Sequence, residues 1–197
     1  MSIMRTSAFG IGTLNPEERL SVPVSSKRDH CQGPDTAPVT LLEYGDYECP
    51  YCGEAYPIIK DIQGQAGNQM RLVFRNFPLT QVHPHAQHAA EAAEAAGAQG
   101  KFWEMHDILY ENQDSLEDED LRGYADSLGL DLEQFDNEMI THVHARKVRE
   151  DFMSGIRSGV NGTPAFYLNG IRYDGSWDEA SLLYSVMQII QVSGKRR

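Results

Sequence analysis

The sequence predicts an α/β protein in which a parallel strand-helix-strand crossover is followed by a long helical segment, a hairpin and a closing helix. Three observations carry this. The apolar run Val39 to Tyr44 is followed by Cys52, Ala55, Tyr56, Ile59 and Ile62 at helical spacing and then by a strand pattern from Leu72 to Phe77. Ala86 to Ala96 is almost entirely Ala and Glu, residues of high helix propensity. Near the C-terminal end, Asn169-Gly170 separates two short apolar runs, and both residues accept the positive φ of a hairpin turn.

Residues 1–36 are polar and turn-rich (Pro16, Pro23, Gly33, Pro34) and read as an extended arm with one edge strand around Leu20, Val22 and Val24. The Val39 to Tyr44 run is a buried central strand ending at Gly45, and the helix after it carries Pro57 as an expected kink. Two strands joined by a helix form the right-handed crossover. Gly97 and Gly100 end the Ala-rich helix, and Phe102 to Tyr110, Leu121 to Leu128, Leu132 to Ile140 and Val143 to Ile156 follow as amphipathic helices. The hairpin is Ala165 to Leu168 with Ile171 to Tyr173, and Ser176 with Glu179 reads as a capping box for a helix reaching Val192. The expected division is an arm (1–36), a core (37–80 and 160–193) and a helical insertion (81–159).

With 41% hydrophobic and 23% charged residues, the chain lies in the ordinary globular range. Its formal charge of −12, densest from Asp114 to Asp120, repels phosphate backbones and anionic lipid, so nucleic acid is a poor partner. The acidic run itself reads as a solvated loop and helix start. No apolar stretch reaches the roughly 18 residues of a membrane helix, so no membrane insertion is expected. The first thirty residues lack the apolar centre of a signal peptide, which makes a cytoplasmic location the expectation.

Three cysteines are too few for a disulfide scaffold, and two of them form Cys49-Pro50-Tyr51-Cys52. A dithiol catalyst needs one sulfur exposed and ionised and a second close enough to resolve the mixed disulfide. Cys49 stands where the strand ends and the helix begins, so unpaired backbone N–H groups favour its thiolate. Pro50 suits the first helical position because its missing N–H forfeits no bond. Cys52, one turn deeper, is the expected resolving thiol. The alternative is half of a zinc site completed by Cys31 and His30, but no second close ligand pair accompanies the motif and its strand-to-helix context reads as redox. Gly162-Thr163-Pro164 precedes the hairpin, where a cis proline would leave a backbone edge free for a substrate peptide; a trans loop proline is the alternative.

Taken together, Asp46-Tyr47-Glu48-Cys49-Pro50-Tyr51-Cys52-Gly53, the Arg75-Asn76-Phe77-Pro78-Leu79 strand end, His83-Pro84, Gly100-Lys101-Phe102-Trp103 and Gly159-Val160-Asn161-Gly162-Thr163-Pro164 resemble the DsbA-like branch of the thioredoxin superfamily. The resemblance runs from about Val22 to Val192. It implies a thioredoxin-like fold with an inserted all-helical subdomain, Cys49 as nucleophile, Cys52 as resolving thiol, and Thr163 and Pro164 as the cis-proline loop that holds substrate. It also implies that Glu43 helps move the proton off Cys52, which suits a carboxyl raised by burial in an apolar strand; an exposed edge glutamate is the alternative. Tyr51 occupies a position where the strongly oxidising periplasmic members carry histidine, and Glu48 beside Cys49 opposes ionisation, so a less oxidising couple is expected. Members of this branch also resemble domains fused to sodium/proton antiporters.

The expected function is thus a thiol-disulfide oxidoreductase without cofactor, acting on protein or peptide thiols and disulfides, reducing or isomerising in a reducing cytoplasm with a thioredoxin or glutathione system as redox partner. The rival is a non-catalytic peptide-binding or transporter-associated accessory module using the same groove. His83, His85 and His88 read as helix-entry histidines bonded to backbone or solvent, with no metal assigned. Phe102, Trp103, Tyr167 and Trp177 read as core or groove walls. His142, His144 and the isolated Cys31 are assigned no role.

Overall fold

The apolar run in the middle of the sheet becomes β3 (Val39–Gly45), buried along nearly its whole length. A computed structural model describes residues 14–195. The other strands are β1 (Leu14–Arg19), β2 (His30–Gln32), β4 (Met70–Asn76), β5 (Ala165–Leu168) and β6 (Ile171–Tyr173), and together they form one sheet in the order β1-β6-β5-β3-β4-β2. Among the described residues, only β3 and β4 pair in parallel, from Val39 opposite Met70 to Gly45 opposite Asn76. Between them runs helix α1 (Pro50–Ala66), which continues through Pro57. The hairpin turn falls at Asn169 (φ 49°) and Gly170 (φ 80°), as its sequence requires.

Alternation along the strands separates two faces. On one, Val39 and Leu41 of β3 pack with Ala55, Ile59 and Ile62 of α1 and with Leu182, Val186 and Ile190 of the closing helix α7 (Glu179–Gly194). On the other, Leu42 and Tyr44 meet Val73, Phe77 and Val160. The helical segment comprises α2 (Ala86–Ala98), α3 (Phe102–Glu111), α4 (Asp118–Ser127), α5 (Leu132–Thr141) and α6 (Ala145–Arg157). Helix α2 is buried almost all round, and its alanines let α3, α5 and α6 approach closely.

Two local expectations are corrected. The arm contributes two edge strands instead of one, and neither is the Leu20 to Val24 stretch. That stretch stays irregular because Arg75 of β4 donates to the carbonyls of Val22 (3.0 Å) and Pro23 (3.2 Å). The cap of α7 is Asp178, whose side chain accepts from the Ser181 N–H (3.0 Å), and not the Ser176/Glu179 box; a carboxylate at the cap is the stronger acceptor.

Arg75 is fully buried and grips Asp29 of the arm through two hydrogen bonds, Nε to Oδ1 at 2.8 Å and Nη2 to Oδ2 at 3.0 Å. It also donates to the Tyr44 hydroxyl (3.0 Å), while Arg28 links Asp29 to Asp151 of α6, each at 2.7 Å. Burial pushes the Asp29 carboxyl up, but the hydrogen bonds and charge of Arg75 outweigh it and hold the carboxyl below its usual range. Replacing Asp29 with Ala strands a buried guanidinium, so urea denaturation at neutral pH is expected to show a loss of about 3–5 kcal/mol. Because the native carboxyl titrates below its unfolded value, the wild-type advantage is present above the unfolded pKa and disappears as pH falls through the native one.

Candidate active site

Cys49 caps α1 with extended backbone (φ −74°, ψ 120°), and Pro50 begins the helix. The Cys49 carbonyl accepts the N–H groups of Cys52 (3.0 Å) and Gly53 (3.1 Å), which closes the first turn and puts the two sulfurs on the same side. Cys49 is 4% exposed and Cys52 is 0% exposed. Across from them the Thr163–Pro164 peptide is cis, and Cys49 Sγ lies 3.5 Å from the Thr163 carbonyl. Strand pairing brings this loop there, since Ala165 of β5 sits opposite Tyr44 of β3.

The two thiols are electrostatically opposite. The Cys49 thiol is pulled down to about 5, first by the hydrogen bond from the Cys52 thiol, against the cost of burial, with help from Thr163 and the backbone N–H groups of Cys52 and Tyr51. The Thr163 hydroxyl is buried with no other partner among the described residues, which leaves it available to the thiolate. Burial pushes Cys52 far up, and its bond to Cys49 and the nearby Glu43 charge add to this. Glu43 is buried in β3, its Oε1 has no partner among the described residues, and burial followed by the Cys49 charge pushes its carboxyl up to about 8. The exposed-edge alternative for Glu43 is therefore set aside.

Glu48 does not act on Cys49 as expected. Its carboxylate is turned onto the His85 backbone N–H (2.6 Å) and ring Nδ1 (2.9 Å), and His85 Nε2 reaches Glu117 at 3.2 Å. Through Glu48 first, the His85 pKa is raised, so the neighbour of the nucleophile is compensated by a histidine. Asp46 accepts from the Glu48 N–H (2.9 Å), the Leu79 N–H (2.8 Å) and His83 Nδ1 (2.8 Å), tying the end of β3 to the chain after β4. The histidines thus take carboxylate partners instead of backbone or solvent: His88 pairs with Asp118 (2.6 Å) and His142 with Glu91 (3.1 Å). Likewise the acidic run is not merely solvated, since Glu117 and Asp118 engage His85 and His88. Among the described residues, no group of three or more His, Cys, Asp or Glu is arranged to hold a metal. Cys31 packs against the Leu42/Tyr44 face of the sheet and Cys49 and Cys52 belong to the cluster with Phe74 on the other face, so the zinc alternative loses its ligand set.

One site residue gave no sequence signal. Gln113, in the loop between α3 and α4, donates from Nε2 to the carbonyls of Tyr47 (2.8 Å) and Cys49 (2.9 Å). Nothing in its surroundings repeats or matches a motif; only the packing of α3 against α1 brings it there. Tyr51 is 60% exposed at the rim.

A family model described as Thioredoxin matches residues 25–186. The chain belongs to the thioredoxin family. It is similar in structure to BdbD of Bacillus subtilis (TM-score 0.77, 24% identity, 88% of this chain and 99% of that one). The same holds for a thioredoxin-like oxidoreductase of Silicibacter pomeroyi (TM-score 0.73, 26% identity, 90% and 98%). In sequence it is 50% identical over 167 residues to the Na(+)/H(+) antiporter NhaA 1 of Salinispora arenicola, covering 85% of this chain and 26% of that protein. It is also 46% identical over 165 residues to the NhaA 1 of Mycobacterium sp. strain KMS, covering 82% and 27%. The chain spans about a quarter of the length of these curated relatives. No helix among the described residues is long and apolar enough to cross a membrane.

Two measurements follow from the site electrostatics. Alkylation of the reduced protein should titrate with a midpoint of about 5 that Cys49→Ser removes, while Cys52, pushed far up by burial, stays unreactive at neutral pH. Glu43 is a raised carboxyl, so its folded state is favoured below the unfolded value near 4.5 and that advantage is lost as pH rises through about 8. Glu43→Gln is accordingly expected to raise the thermal midpoint at pH 9 and to leave it nearly unchanged at pH 4.

Proposed function

We propose that this chain performs thiol-disulfide exchange with protein or peptide substrates through Cys49 and Cys52. The observation that carries the reading is the pair itself: an N-cap cysteine with a depressed pKa facing the Thr163 carbonyl, and a fully buried second cysteine one turn away. The Cys49 thiolate attacks a substrate disulfide; the Cys49–substrate bond forms, the substrate S–S bond breaks, and one substrate thiolate leaves. Cys52 then gives its proton to the Glu43 carboxylate and attacks Cys49 Sγ. That forms the Cys49–Cys52 disulfide and releases the second substrate thiolate, so the substrate gains two electrons and the protein loses two. A Glu43 carboxyl titrating at about 8 is partly ionised at neutral pH and so suits this acceptance. The Thr163-Pro164 loop, with its backbone beside the sulfur, is the surface along which an extended substrate lies, and Pro50 and Tyr51 shape its rim.

The direction of net flow follows the compartment. In a reducing cytoplasm, with thioredoxin or glutathione as donor, the dithiol dominates and the chain reduces or isomerises disulfides. A depressed nucleophile pKa stabilises the dithiol form and makes the couple more oxidising, and with Glu48 compensated by His85 one of the two grounds for a weakly oxidising couple is gone.

A second reading, an accessory module of an ion transporter, is favoured by the antiporter names of the relatives, whose length this chain matches only in part. The two separate on the bench. Exchange chemistry predicts that Cys49→Ser abolishes insulin disulfide reduction and that Cys52→Ser accumulates mixed disulfides visible by non-reducing electrophoresis. Undiminished reduction by Cys49→Ser would sink the enzyme reading, and wild-type protein without reductase activity or a depressed Cys49 pKa would favour the module.

A further inference from the structure

Two carbonyls of the turn that carries the cysteines are held by one side chain from the helical segment. Gln113 uses both hydrogens of its amide nitrogen, one to the Tyr47 carbonyl (2.8 Å) and one to the Cys49 carbonyl (2.9 Å). The Cys49 oxygen already accepts the Cys52 and Gly53 N–H groups, so Gln113 is its third donor. The other end of the amide explains a glycine. A Cβ built on Gly53 would collide with Gln113 Oε1 and lie 2.7 Å from its Cδ, closer than real atoms approach. Gly53 sits inside α1 with ordinary helical backbone, a place where alanine is the better residue, and the glycine leaves free the space that the Gln113 amide occupies.

We propose that Gln113 is a positioning residue for the nucleophile: its amide fixes the Tyr47 to Cys49 backbone so that the N–H groups of Tyr51 and Cys52 stay aimed at Cys49 Sγ, and Gly53 is its seat. This rests on the thiol-disulfide reading of Cys49. The consequence for the fold is that the helical segment, and not the sheet alone, sets the chemistry of the sulfur. Gln113 directly precedes the acidic stretch whose Glu117 reaches His85, so the α3–α4 loop touches the cysteine turn at Gln113 and, through His85 and Glu48, a second time.

The test is a double-mutant cycle read by Cys49 titration, disulfide reduction potential and thermal midpoint. Gln113→Met keeps the volume but cannot donate, and it should move the Cys49 alkylation midpoint up by about one pH unit and make the couple more reducing. Gly53→Ala alone should do the same, because its methyl group displaces the amide. In a Gln113→Ala background, Gly53→Ala should leave the Cys49 midpoint where it is and raise the thermal midpoint, as alanine normally does inside a helix. An unchanged Cys49 midpoint in Gln113→Met would overturn the proposal, as would an equal thermal loss from Gly53→Ala in both backgrounds. If the parent protein instead lacks exchange activity, the functional reading fails on its own, while the thermal cycle, which needs no activity, still decides whether Gly53 seats Gln113.

Discussion

A guanidinium with no exposure to solvent sits at the centre of this molecule, and the arrangement of its three parts follows from how Arg75 is satisfied. It stands on β4, beside the central strand, and its five donors reach Asp29 and two carbonyls of the N-terminal arm and the hydroxyl of Tyr44. An arginine in that position cannot lose its charge, so the arm must fold over it and bring a carboxylate. Through Arg28 the same carboxylate is linked to Asp151 on α6. Arm, sheet and α6 are thereby locked on one face of the sheet, while α1, α7 and the packing of α2 and α3 around the cysteines occupy the other.

On that second face, two identical groups sit in unlike surroundings. Cys49 and Cys52 are separated by one helical turn, yet one is stabilised as a thiolate by donors at the helix start and the other is kept protonated by burial. Each makes the other's state more pronounced, because the Cys52 thiol donates to the Cys49 thiolate. Glu43, buried in β3 with its carboxyl pushed up to about 8, is raised further by the Cys49 charge and in turn helps to raise Cys52.

The relatives place this architecture in two settings. BdbD and the Silicibacter pomeroyi protein share the whole fold. The antiporters share closer sequence but are about three times as long.

The sequence by itself determined the parallel crossover, the Ala-rich helix, the Asn169-Gly170 hairpin and the two cysteines at the strand-to-helix turn. These are local properties: periodicity, turn chemistry and spacing are written in contiguous residues. It also pointed to the Thr163-Pro164 loop. Only the tertiary structure decided what surrounds the sulfurs. That Glu48 turns away onto His85, that Asp46 binds His83, that Leu20 to Val24 serves Arg75 as acceptors and that Gln113 clamps Cys49 are contacts between residues up to 66 positions apart. A side chain's partner across such a distance depends on how helices and strands pack, and packing has no signature in any short window of sequence.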